Sequence, residues 1–66
     1  MNLTINGEQR EAADGTTVLG LLESFGLKPE VTVVQRNDDI IDRDRYADTA
    51  LAEGDCLELI RFVGGG

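Results

Sequence analysis

Apolar and polar positions alternate at both ends of the chain and switch to a helical spacing between them. Leu3 and Ile5 alternate with Asn2, Thr4 and Asn6, the period-two pattern of a strand with one buried face. Asn6-Gly7 then supplies two residues that tolerate the positive φ of a type I′ turn, which predicts a hairpin. Residues 8–13, Glu-Gln-Arg-Glu-Ala-Ala, are its returning strand, and their weak β propensity places them at a sheet edge. Asp14-Gly15-Thr16 is loop chemistry, with Thr17 as the N-cap of a helix. Val18, Leu21, Leu22 and Phe25 fall on one helical face, predicted to pack on a sheet. Gly26 and Pro29 stop that helix after roughly nine residues.

The second half reads as strands. Residues 31–35 hold three valines and a threonine, a β-branched run suited to an interior strand. Asn37-Asp38 is the next turn, and Ile40 and Ile41 form a short apolar segment. Residues 42–46 are charged enough for an exposed loop or a single helical turn, from which Tyr46 and, further on, Leu51 fold inward. Glu53-Gly54-Asp55 is a turn into a final strand over residues 56–63, expected beside the first strand. There Leu57, Leu59, Arg61 and Val63 share one parity, while Cys56, Glu58, Ile60 and Phe62 share the other. With Leu57 and Leu59 in the core, Ile60 and Phe62 stay outside as a docking patch, unless a bulge breaks the parity or other elements cover both faces. The order of elements predicts an α+β domain with one main helix across a mixed sheet of four or five strands.

Composition narrows the function. A chain of 66 residues is one small domain that buries roughly 60% of the surface of its unfolded state, with little room for an enclosed catalytic pocket. It is better suited to be a binding module or a protein substrate than an autonomous enzyme. Thirteen acidic against six basic residues give a charge of -7, which disfavours nucleic acid and anionic membranes and favours basic protein partners. Asp42, Asp44, Asp48 and Glu58 are candidates for steering such an encounter, against the default of solvated surface. Cys56 is the single cysteine and histidine is absent, so neither an internal disulfide nor a His/Cys metal cluster can form. Without a histidine to activate it, and lying in an apolar strand pattern, Cys56 reads as structural or incidental. The N-terminus lacks a signal-like segment and no apolar run is long enough to span a bilayer, so a cytoplasmic location is expected.

Gly64-Gly65-Gly66 closes the chain after the final apolar strand. Glycine contributes no packing and costs backbone entropy, so stability does not account for three of them. A tail without Cβ atoms can thread a narrow active site and present its carboxylate there; the alternative is an unstructured end.

Residues 3–13, the Gly15-Thr16-Thr17-Val18 helix start, Leu21-Leu22-Glu23, Ile40-Ile41-Asp42-Arg43, Glu53-Gly54-Asp55 and the terminal Gly65-Gly66 together resemble the ThiS family of sulfur carriers. The resemblance spans nearly the whole chain. It implies a ubiquitin-like β-grasp fold over residues 1–63 and a flexible glycine tail over 64–66. It also implies that Gly66 is substrate and carrier rather than catalyst. Its carboxylate would be adenylated by a ThiF-like, ATP-dependent enzyme, converted by a sulfur donor protein to a thiocarboxylate, and used by a ThiG-like thiazole synthase to build the thiazole of thiamine. No cofactor is expected on this chain, the ATP and metal belonging to the activating partner. Gly64 and Gly65 would give access, and Glu58, Ile60 and Phe62 would dock the partner. A related carrier for molybdopterin, cysteine or tRNA thiolation, or a ubiquitin-like modifier, presents the same terminus. Two positions depart from the family pattern: Gly64 stands where a bulkier residue is common, and Arg36 where an apolar one would be easier to bury.

Overall fold

In the computed structural model, which describes residues 1–61, the chain opens as a two-residue hairpin. Strand β1 (Asn2–Ile5) turns through Asn6 and Gly7, at φ 51° and 82°, into β2 (Glu8–Glu11). Both central residues have the positive φ of a type I′ turn, which matches the twist of the flanking strands. Strand β2 is exposed along its length at the sheet edge. It ends at Glu11 rather than residue 13, although the Ala12 N–H still donates to the Met1 carbonyl at 2.9 Å.

Helix α1 spans Val18–Ser24. A helix leaves its first N–H groups without intrahelical partners. Here the Thr17 hydroxyl accepts from Gly20 N–H at 3.1 Å, while Val18 and Leu19 donate to the Thr49 and Tyr46 carbonyls at 2.9 and 3.0 Å. The long connection before the last strand therefore caps the helix start, leaving no free donors for an anion. At the other end Gly26, at φ 71°, donates to Glu23 and Leu27 donates to Leu22, the paired bonds of a Schellman motif. That motif corrects the expected apolar face. Phe25 is the C-cap, its ring is 40% exposed beyond the core, and the Arg10 guanidinium lies 5.7 Å from the ring centroid.

A single 3₁₀ turn, Pro29–Val31, takes Val31 out of the predicted strand, so β3 runs over Thr32–Arg36. Asn37 and Asp38, at φ 49° and 75°, turn the chain into β4 (Asp39–Ile41). A second 3₁₀ turn, Arg43–Arg45, precedes the buried Tyr46. Strand β5 (Cys56–Arg61) completes a five-stranded sheet ordered β2-β1-β5-β3-β4. The pairing of β1 with β5 is parallel and the other three are antiparallel. The last strand thus lies beside the first, as expected, and between the two hairpins.

The core sits between α1 and one face of this sheet. Leu3, Ile5, Val34 and Leu57 from the strands meet Val18, Leu21 and Leu22 from the helix, and Tyr46 and Leu51 close the open side. Burying a large aliphatic side chain contributes about 1.5–3 kcal/mol, so this small cluster carries the fold. Its polar members are paired: the Tyr46 hydroxyl donates to the Thr32 carbonyl at 2.7 Å, and the Thr32 hydroxyl donates to the Lys28 carbonyl at 2.7 Å. Arg36 shares the inner parity but is only half-buried; its guanidinium donates to the Ala50 carbonyl at 3.1 Å and lies 3.8 Å from Asp55. Those partners make a charged residue tolerable at the core margin.

Candidate functional site

The face of the sheet opposite α1 carries the candidate site. The β3–β5 register sets Val33 against Ile60 and Gln35 against Glu58, and the β3–β4 register sets Ile40 against Gln35. Residues directly opposed in a ladder point to the same side, so these five side chains share the outer face. Ile60 is 47% exposed and Ile40 70% exposed, with Val33 half-buried between strands. The parity read from the final strand holds through Arg61 without a bulge: Leu57 is buried and Leu59 half-buried inside, with Cys56, Glu58 and Ile60 outside. Val33 and Ile40 extend the predicted patch. The β-branched run and the isoleucine pair signalled them, but only the register shows that they flank Ile60 and Glu58.

The remaining predicted site residues divide cleanly. Phe62, Gly64, Gly65 and Gly66 lie outside the described residues. Cys56 begins β5 and is exposed on the outer face, the parity read for it, opposite Thr4. Glu58 joins the patch, whereas Asp44 lies on the 3₁₀ segment with Asp42 as its N-cap, and Asp48 on the connection that caps α1. Among the described residues no group of three or more acidic, cysteine or histidine side chains is placed to hold a metal ion. No helix among them is long and apolar enough to cross a membrane.

Strand β5 is fixed by side-chain amides at its start and again at Leu59. At its start the Asn37 carboxamide oxygen accepts the Cys56 N–H at 2.9 Å and its nitrogen donates to Asp55 at 3.2 Å, while the other Asp55 oxygen accepts the Ala52 N–H at 2.8 Å. The Asp55 carbonyl in turn accepts the Thr4 N–H at 3.0 Å, locking the Gly54-Asp55 turn to β1. Towards its end, β5 outruns β1, whose last ladder pair is Ile5 with Leu57. Asn6 fills the gap. Its N–H donates to the Leu57 carbonyl at 2.9 Å, its carboxamide oxygen accepts the Leu59 N–H at 2.8 Å, and its carboxamide nitrogen donates to the Leu59 carbonyl at 3.4 Å. A hairpin signal accounted for Asn6 in the sequence, and these longer-range bonds had none.

A mixed sheet with two hairpins joined by a central last strand and one helix across its inner face is a ubiquitin-like β-grasp domain. The ThiS family model matches residues 3–66, and the chain belongs to the ThiS family. It is 37% identical over 65 residues to the sulfur carrier protein ThiS of Bacillus subtilis, covering 97% of this chain and 98% of that protein. It is also 41% identical over 66 residues to a thiazole synthase of Magnetococcus marinus; the match takes in 100% of this chain and 20% of the synthase's length. The crystal structure of the thiamine biosynthesis protein ThiS from Geobacter metallireducens superposes with a TM-score of 0.85 at 32% identity, covering 100% of both chains.

Proposed function

We propose that this chain is a sulfur carrier for formation of the thiazole of thiamine, with the Gly66 α-carboxylate as the group that carries sulfur. The observation that supports it most is the near end-to-end match to the Bacillus subtilis carrier, together with a family match that extends to residue 66. A carboxylate oxygen is a poor leaving group, so activation comes first. In a ThiF-like partner, which supplies ATP and metal, a Gly66 oxygen attacks the α-phosphate of ATP and pyrophosphate leaves. The terminal sulfur of a donor protein's persulfide then adds to the acyl carbon and AMP departs, giving an acyl disulfide. A thiol reductant attacks the donor's own sulfur and breaks the S–S bond, leaving the thiocarboxylate, a better nucleophile, and a disulfide between thiol and donor. The glycines at 64 and 65 let the carboxylate pass a slot too narrow for side chains.

The domain's part is delivery. Docking through Ile60, Val33 and Ile40, with Glu58 beside them and Phe62 next in parity, fixes the domain so that the tail need search only a small volume. The match within a thiazole synthase supports a ThiG-like acceptor, since that relative holds a similar segment in one polypeptide with the rest of the synthase. Incubation with a ThiF-like enzyme, ATP and a sulfur donor, followed by intact-mass measurement, tests the reading. The expected product is the chain with one oxygen exchanged for sulfur, stable until a thiazole synthase consumes it. Isopeptide conjugates without that species would instead identify a ubiquitin-like modifier.

A further inference from the structure

Asn6 does more than an Asn-Gly turn requires. A type I′ turn needs a residue tolerant of positive φ at this position, and Asn meets that need by its backbone alone, with the carboxamide free to face water. Here the carboxamide instead lies along β5, with its oxygen on the Leu59 N–H at 2.8 Å and its nitrogen on the Leu59 carbonyl at 3.4 Å. An amide that accepts from one residue's N–H and donates to the same residue's C=O reproduces what a strand neighbour supplies. Leu59 lies 53 residues from Asn6 and two before Arg61, where the described part of β5 ends. On its other side β5 is paired with β3 as far as Arg61, opposite Thr32.

We propose that the Asn6 carboxamide is a positioning group for sulfur transfer: it stands in for the missing continuation of β1 and holds the exit of β5 at a fixed angle to the docking face. This rests on the carrier function proposed above. The carboxylate sits at residue 66, five residues beyond Arg61, so the place where β5 ends sets the centre of the volume that the reacting atom can reach. After loss of the second flanking partner the β3 ladder still holds Ile60 and Val33 on the docking face, but the end of β5 from which residues 62–66 continue is held from one side only. The effect therefore belongs to turnover within the docked complex rather than to docking.

Asn6→Gly and Asn6→Asp separate this role from the turn. Glycine keeps the positive φ and removes the carboxamide; aspartate keeps an acceptor for the Leu59 N–H and loses the donor to its carbonyl. In the full-length chain, hydrogen exchange at the Leu59 amide is expected to speed up about tenfold in Asn6→Gly and less in Asn6→Asp, with the Leu3 and Val34 amides unchanged. Adenylation of each chain by a ThiF-like enzyme is then measured against carrier concentration. The expected result is a kcat about tenfold lower for Asn6→Gly at constant KM, partly restored in Asn6→Asp. Faster exchange at Leu59 with wild-type kcat would overturn the positioning role and leave a structural bond. Unchanged exchange would overturn the clamp itself. A wild-type chain refused by the adenylating enzyme would refute the carrier reading and the role of Asn6 with it, while the exchange rates would still report whether the bond exists.

Discussion

At the scale of single residues, polar side chains decide where the backbone may go. Tyr46 reaches into the core and its hydroxyl donates a hydrogen bond to the Thr32 carbonyl, at the start of β3. Tyr46→Phe keeps the ring but leaves that buried acceptor short of a partner, so the expected loss is about 1–3 kcal/mol of unfolding free energy. Urea denaturation reads it as a lower midpoint at unchanged slope. That Tyr46 turns inward was legible in the sequence, because an aromatic in an otherwise charged stretch has nowhere better to go. Its partner was not legible, and neither was the bond from Asn6 to Leu59, since a hydrogen bond between distant segments leaves no periodic trace. Asn37 illustrates the same limit: its turn was visible, its hold on Asp55 and Cys56 was not.

At the scale of elements, the legible part was parity and the illegible part was what lies alongside. Period two in the final strand placed Leu57 and Ile60 on opposite faces, and the structure keeps that assignment. The helix was legible by its spacing, but Phe25 shows how one position at the end escapes it. The backbone unwinds into the Gly26 cap before the ring can turn onto the sheet. The outer face needed the register of three strands before Val33 and Ile40 could be set beside Ile60. Substituting Ile60→Glu tests that face. Because the side chain is 47% exposed, stability should change by no more than about 0.5 kcal/mol. The KM of a ThiF-like enzyme for the carrier should rise about tenfold with kcat little affected, the reverse of the signature expected at Asn6. An unchanged KM would remove the outer face from the docking surface.

At the scale of the whole molecule, the sheet is two hairpins and a bridge. Strands β1 and β2 form one local unit and β3 and β4 another, and within the sheet only β5 joins them. An isolated two-stranded hairpin is at best marginally stable in water, and Leu57, fully buried at the centre of the core, arrives with β5. A chain stopped after Asp55 is therefore expected to be unfolded, seen as collapsed amide dispersion in its NMR spectrum, whereas removing residues 64–66 should leave dispersion intact. A native-like spectrum from the shorter chain would mean that the helix and hairpins suffice.

The central place of β5 also sets an order of events during synthesis. Synthesis runs from the N-terminus, so both hairpins and the helix are made before the strand that joins them. The parallel pairing of β1 with β5 closes a loop of about fifty residues, a slow step compared with forming either hairpin. Folding thus completes only when the segment leading into the glycines has appeared. An activating enzyme that selects for the folded outer face would meet that face only on chains whose synthesis has already passed Arg61.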